Sequence, residues 1–176
     1  MRFSYYDRLS GAQQQTYRRS DAIVTLGIPR ELELGDTVRK IESALAADDK
    51  SAVQRSCQSL VDALNEGYRV PPARVRILAR RPIEGDGELH GLYEPVEGST
   101  TARITAWMRT AQRLQVVAFK TFLRTLIHEL CHHLDYELFA FDETFHTEGF
   151  YKRESSLVSA LLAQRDTAAV SATGPR

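Results

Sequence analysis

The sequence predicts an α+β fold with helices at its N-terminus, a small antiparallel sheet, one long helix and a closing helix. Three observations predict this order: apolar residues recur at helical spacing in the first 70 residues, alternate with polar residues between residues 74 and 108, and return to helical spacing from residue 112. Of the 176 residues, 43% are hydrophobic and 26% are charged. That composition is sufficient for one domain with its own core.

Caps and apolar spacing mark the N-terminal helices. Ser10 and Gln13 have the spacing of a capping box, which predicts a short helix to about Arg19. A second helix is expected from the N-cap candidate Asp36, and a third over residues 51–67. Their apolar positions are Val38, Ile41 and Leu45 in the second helix, and Val53, Leu60, Val61 and Leu64 in the third.

Strands follow two prolines at residues 71 and 72. Apolar and polar residues alternate over residues 75–79, which predicts a half-buried strand. Two more strands are expected over residues 89–93 and 103–108, each preceded by a turn-rich segment, at Glu84-Gly85-Asp86-Gly87 and at Glu97-Gly98-Ser99. We expect the three strands to pair in an antiparallel sheet.

The long helix is expected from roughly Gln112 to Leu138, since no proline or glycine interrupts its apolar pattern. A loop then leads to a closing helix from about Glu148 to Ala163, and residues 164–176 have too few apolar side chains to pack, which predicts a flexible tail. Residues 1–163 are thus expected to form a single domain. Its parts would be a helical N-terminal part, residues 1–70, and a catalytic core, residues 71–163.

Charge gives little indication of a partner. Lysine plus arginine and aspartate plus glutamate both number 23, so the net charge is zero and no global field attracts nucleic acid or an anionic membrane. Arg74, Arg76, Arg80 and Arg81 could still form a local basic strip that contacts nucleic acid, although arginines on an alternating strand are more often its solvated face.

The sequence also favours a cytoplasmic protein. No apolar run follows the first basic residues, so the N-terminus does not resemble a secretory signal. The most apolar window, residues 116–138, is interrupted by charged residues, which argues against a membrane span.

A metal-binding motif stands inside the long helix, where residues 128–132 read His-Glu-Leu-Cys-His, the HExxH pattern. Positions four apart lie on one helix face about 6 Å apart along the axis, so His128 and His132 can reach the same zinc ion. Glu129 would then accept a proton from the metal-bound water as catalytic base. Cys131 faces about 100° away from His132 and is not expected to bind. The motif predicts a zinc metallopeptidase.

A catalytic zinc site requires a third protein ligand. His146 is favoured because it follows His132 by fourteen residues, enough to end the helix and return to the ion. Asp135 could hydrogen-bond the free ring N–H of a ligand. The sequence leaves open, as other third ligands, Glu143, Glu148, Glu154, His133 and His90.

The HExxH segment, the gap to His146 and the segment His146-Thr147-Glu148-Gly149-Phe150 together resemble the SprT-like branch of the zincin metallopeptidases, which includes the Spartan-type proteases. In that family the third histidine opens a His-Gly-x-x-Phe segment, and here Thr147 stands in the glycine position. The resemblance covers about residues 70–163. It implies a zincin-like fold, zinc held by the three histidines, and a protein or peptide substrate.

By the same resemblance, the strand over residues 103–108 would receive an extended substrate backbone. Trp107 would either contact that backbone or lie in the core. Stabilising the oxyanion of the reaction needs one more donor, and Tyr151 and Arg153 are the nearest candidates unless both are ordinary helix residues.

Two other functions remain open at this stage. One is a non-catalytic zinc-binding module whose sheet edge pairs with a partner strand, against which the intact Glu129 argues. The other is a zinc hydrolase that acts on a substrate other than protein.

Overall fold

The computed structural model describes residues 3–84, 87–97 and 101–172. The predicted turn residues Gly85, Asp86, Gly98 and Ser99 and the last four residues therefore lie outside the described residues. The described chain is α+β, as predicted. After a short 3-10 helix (Tyr6–Arg8), its elements are α1 (Gly11–Ala22), α2 (Gly35–Ala46), α3 (Lys50–Tyr68), β1 (Arg74–Arg80), β2 (Ile83–Glu84), β3 (Gly87–Glu88), β4 (Gly91–Glu94), β5 (Arg103–Arg109), α4 (Phe119–Glu137) and α5 (Glu148–Ala172).

The three-stranded sheet is mixed, with the strand order β1-β5-β4. β5 pairs with β4 in antiparallel fashion but runs parallel to β1, with Val75 opposite Ile104. The prediction of an antiparallel sheet is therefore wrong for the β1–β5 pair. Between β1 and β5 the chain forms the antiparallel pair β2–β3 and then β4. After this long connection, β5 runs beside β1 in the same direction.

Helix α3 closes the outer edge of the sheet at β1. The Gln54 side chain donates to the Val75 carbonyl at 2.5 Å and accepts from the Ile77 N–H at 2.7 Å. The Gln58 side chain accepts from the Val75 N–H at 2.8 Å and donates to the Ala73 carbonyl at 3.0 Å. These bonds occupy backbone groups that an unpaired edge strand would offer to another chain.

Helix α4 lies against the inner face of the sheet and against α5. Its buried apolar side chains recur every three or four residues, so they form one continuous face that packs into the core. They are Phe122, Leu123, Leu126, Ile127, Leu130, Cys131 and Leu134. Among the described residues, none of the helices combines the length and the apolar composition needed to cross a lipid bilayer.

The long helix begins at Phe119, not at about Gln112 as predicted. After β5 the chain turns back along the sheet, and the Val117 N–H donates to the Met108 carbonyl at 2.7 Å. Val116 forms an isolated bridge to the end of β5. The apolar residues that extended the helical pattern toward the N-terminus belong to this return segment.

The closing helix α5 continues past its predicted end at Ala163. The Gln164 side chain accepts a hydrogen bond from the Leu34 N–H at 2.7 Å and donates to the Leu32 carbonyl at 2.9 Å. Arg165 forms an ion pair with a glutamate of α2. The predicted tail thus begins as helix, because polar side chains fix it to the N-terminal helices.

Candidate metal centre

The three predicted ligands meet in one group. His128 and His132 project from one face of α4, and His146 precedes α5 at the end of the loop that leaves α4. Their Nε2 atoms are 3.2 Å apart in the pair His128–His132, 2.9 Å in His128–His146 and 3.0 Å in His132–His146. Two ligands from one helix and one from a second segment therefore converge within bonding reach of a single ion.

Hydrogen bonds behind two of these rings fix where their protons lie. The Nδ1 atom of His128 is 2.8 Å from a carboxylate oxygen of Glu154, which can only accept. The Nδ1 atom of His132 is 2.7 Å from the Thr144 hydroxyl, which itself donates to Asp135 at 2.7 Å. Both rings therefore carry their proton on Nδ1, and both leave the Nε2 lone pair facing the group.

This arrangement fits a divalent cation. Nitrogens bound tetrahedrally at about 2.0–2.1 Å from an ion lie about 3.3 Å apart, close to the separations found here. At such distances lone pairs repel one another unless a cation lies among them. The group could thus hold a metal ion that accepts imidazole ligands.

Desolvation favours the neutral form of two of the imidazoles, those of His132 and His146. Desolvation, together with the neighbouring rings of the group, lowers the pKa of His132 to about 2. Desolvation also lowers the pKa of His146 below its ordinary value. Neutral imidazole is the form that binds metals, so these rings need not lose a proton first.

Glu154, the strongest alternative ligand from the sequence, lies outside the ligand group. Its side chain is buried, with one oxygen toward His128 and the other accepting from Arg124 at 2.5 Å. A carboxylate in this position orients the ring and makes it a stronger ligand. Asp135 serves His132 in the same way, although through Thr144 rather than directly.

Phe150 supports all three rings from behind. Its side chain is fully buried, and its ring centroid lies 5.0 Å from that of His128, 4.7 Å from His132 and 5.2 Å from His146. Thr147, which replaces the expected glycine, accepts a hydrogen bond from the Phe150 N–H at 2.9 Å and so caps α5. The cap fixes the start of α5 directly after the third histidine.

Arg153 cannot be the oxyanion donor considered from the sequence, because it is fully buried. It donates to Asp135 at 2.6 Å, to the Ser20 carbonyl at 2.9 Å and to the Ser20 hydroxyl at 3.0 Å. The guanidinium therefore joins α5 to α4 and α1. Tyr151, the other candidate, is 43% exposed and its ring stacks on His146 at 5.8 Å.

Glu129 lies beside the histidines with little access to water. Desolvation by burial raises its pKa to about 7. A side chain with a pKa near neutrality can both take up and release a proton during a reaction, which a general base requires. Glu129 packs against β4, where a Cβ atom on Gly91 would lie 2.3 Å from its carboxylate oxygen.

A cleft of about 760 Å³ opens over the histidines. Residues of β4, residues of the exposed face of α4 and Tyr151 line it. The strand at the cleft is thus β4 and not residues 103–108, since β5 lies between β1 and β4. Trp107 is buried, as the core alternative predicted.

The two remaining histidines stand apart from the group. His133 is fully buried, donates to the Pro71 carbonyl at 2.9 Å and accepts from the Tyr93 hydroxyl at 3.1 Å, so it joins α4 to the sheet. His90 is exposed at the rim of the cleft. Cys131 is buried and outside the group.

The four arginines of the predicted basic strip differ in their exposure to solvent. Arg74, Arg76 and Arg80 are exposed, whereas Arg81 is buried and pairs with Glu88 at 3.3 Å. Two of the exposed arginines, at residues 74 and 76, share the outer face of β1, which is the solvated face that strand alternation favours.

The site thus combines three imidazoles with the buried carboxylate of Glu129 in an open cleft. Such a set can hold a cation and transfer protons beside it. Comparison of the chain with protein-family models, with curated proteins and with solved structures returned no match. The chemistry of the site is therefore what supports a function.

Proposed function

We propose that the protein is a zinc-dependent peptidase that cleaves extended segments of protein chains. The observation that carries this proposal is the convergence of three imidazole Nε2 atoms beside the buried carboxylate of Glu129, in a cleft bordered by a strand. Imidazole ligands and a three-histidine set are typical of catalytic zinc. The same features support the zincin-like fold that the resemblance implies.

In this proposal His128, His132 and His146 hold the zinc ion. When bound, zinc supplies Lewis acidity, which lowers the pKa of water and polarises a carbonyl group. The Glu129 carboxylate takes one proton from the attacking water, and the resulting carboxylic acid then donates it to the nitrogen of the leaving amine. Its burial suits the second step, because desolvation stabilises the carboxylic acid form that donates the proton.

Peptide is the favoured substrate because of the two sheet edges. The β1 edge is closed by the side chains of Gln54 and Gln58. The β4 edge lies along the cleft, and among the described strands only β5 pairs with it. An extended peptide can hydrogen-bond to such an edge as an added strand, which would place its backbone over the histidines.

The proposal is tested by metal analysis and by cleavage of unfolded proteins. We expect one zinc ion per chain in the wild type, cleavage by the zinc-loaded protein, and loss of cleavage with zinc retained in Glu129→Gln. His146→Ala should lose the zinc. Undiminished cleavage by Glu129→Gln would contradict the proposal. Zinc retention without cleavage by either protein would favour the non-catalytic interaction module.

A further inference from the structure

Two large aromatic side chains are exposed together beside the cleft, where Tyr151 lines it and Phe3 lies against Tyr151. Tyr151 is 43% exposed and Phe3 is 40% exposed, and their ring centroids are 6.5 Å apart. Tyr151 also stacks on His146, with ring centroids 5.8 Å apart and planes 17° apart. Adjacent exposed aromatic faces beside a cleft are typical of a binding surface.

The N-terminal segment that carries Phe3 is anchored beside the site. The Phe3 N–H donates to the Tyr17 hydroxyl at 3.3 Å, and its ring stacks on Tyr5 at 6.0 Å. Tyr17 is buried in turn against Phe145, next to the third histidine. Phe3 is therefore held in place against Tyr151.

We propose that Phe3 and Tyr151 form an aromatic subsite that binds a large apolar or aromatic side chain of the peptide substrate. This inference rests on the proposed peptidase function and specifies its substrate class. The Tyr151 ring lies 6.2 Å from His128 and 5.8 Å from His146. An extended peptide advances about 3.3–3.6 Å per residue, so a side chain resting on Tyr151 belongs to a residue within about two positions of the cleaved bond.

The ion pair that flanks Tyr151 on α5 does not favour an ionic substrate side chain. The nearest ion pair on α5, Glu148–Lys152, has its partners 2.7 Å apart and is largely exposed to water. The two charges offset each other, so this pair by itself attracts neither sign of substrate charge. The subsite therefore selects by apolar contact.

The test is a series of peptides that differ at one position near the cleaved bond, carrying Phe, Leu, Ala, Glu or Lys. We expect the wild type to prefer Phe over Ala by at least about tenfold in kcat/KM, as apolar pockets discriminate. Tyr151→Ala should reduce that preference to less than about threefold, and Phe3→Ala should reduce it in part. Tyr151→Phe keeps the ring and should keep the preference.

Two controls separate this subsite from other roles. Val24→Ala removes an apolar side chain that is 44% exposed and does not line the cleft, so it should leave the preference unchanged. A fall in kcat that is equal in Tyr151→Phe and Tyr151→Ala, with the preference intact, would assign Tyr151 a hydroxyl role and overturn the proposal.

Binding to the zinc-loaded Glu129→Gln variant gives a readout that does not need cleavage. By fluorescence anisotropy, this variant should bind the Phe peptide at least about tenfold more tightly than the Ala peptide. The double variant Glu129→Gln/Tyr151→Ala should bind the two peptides equally. Cleavage by the wild type without apolar preference would overturn the subsite and leave the peptidase standing. Apolar-selective binding without wild-type cleavage would support the subsite and contradict the peptidase.

Discussion

Gly91 determines where the carboxylate of Glu129 can lie. A Cβ atom at residue 91 would approach the Oε1 atom of Glu129 to 2.3 Å and its Cδ atom to 2.8 Å. The contacted group is the end of a flexible side chain, so it would move before the strand did. The absence of a side chain at this position lets β4 lie directly against the proposed base.

Gly91→Ala is therefore expected to displace Glu129 without removing the metal. We expect kcat to fall by about 10- to 100-fold, because a displacement of about 1 Å at a reacting group has effects of that size. Zinc content should not change. The matched control is Gly87→Ala, where an added Cβ meets nothing within 4 Å. Equal activities of the two variants would contradict the assigned role of Gly91.

Glu154 is expected to strengthen metal binding without contributing a ligand. Its carboxylate holds the His128 ring at 2.8 Å, and removing such an outer partner typically weakens metal affinity 10- to 100-fold. Glu154→Ala should show this loss in competition with a chelator of known affinity, whereas Glu148→Ala, at a half-buried glutamate outside the ligand group, should not. If Glu154→Ala removes zinc completely and His146→Ala retains it, Glu154 is the third ligand.

The residues that could be predicted from sequence are those whose geometry is local. His128 and His132 share a helix face by spacing alone, and Glu129 follows from the same motif. The roles of Thr144 and Gly91 could not be predicted, because each depends on a contact between segments that are distant in the sequence.

At the level of elements, periodicity predicted the existence of strands and helices but not their pairing. Side chains alternate in the same way in parallel and antiparallel strands. The alternation in β1 and β5 therefore could not predict that the two strands run parallel. The end of α5 was missed for a related reason. Gln164 is polar, and its contribution to packing is made through two hydrogen bonds to the segment before α2.

The closed edge of β1 should contribute measurably to stability. Gln58→Ala removes two hydrogen bonds to the backbone of Ala73 and Val75, which predicts a loss of about 1–2 kcal/mol in the free energy of unfolding. Urea denaturation measures it. Gln15→Ala is the matched control, since Gln15 is an exposed glutamine of α1 and the change in helix propensity is the same. Equal midpoints for both variants would contradict this role of Gln58.

Across the whole molecule, a buried polar chain joins the N-terminal helices to the metal centre. It leads from Ser20 on α1 through Arg153 and Asp135 to Thr144, and from there to His132. Asp21 on α1 also accepts a hydrogen bond from the Gly149 N–H, at the start of α5, at 2.9 Å. The N-terminal part is therefore expected to support the geometry of the site as well as the core.

Arg153→Met tests this connection at its centre. The Arg153 and Asp135 side chains are both fully buried, so removing the cation leaves an uncompensated carboxylate. Breaking such a pair typically costs about 3–5 kcal/mol of folding free energy, and the loosened Thr144 should also weaken zinc binding at His132. Urea denaturation in the presence of a chelator measures the first effect without a contribution from metal release.

Two further variants decide whether the loss comes from the buried charge. Arg165→Met, on the same helix, removes a partly exposed ion pair and should cost less than about 1 kcal/mol. Adding Asp135→Asn to Arg153→Met removes the orphaned charge, so the double variant should be more stable than Arg153→Met alone. A double variant less stable than Arg153→Met would show that the hydrogen bond from Thr144 to the Asp135 carboxylate outweighs the cost of the buried charge.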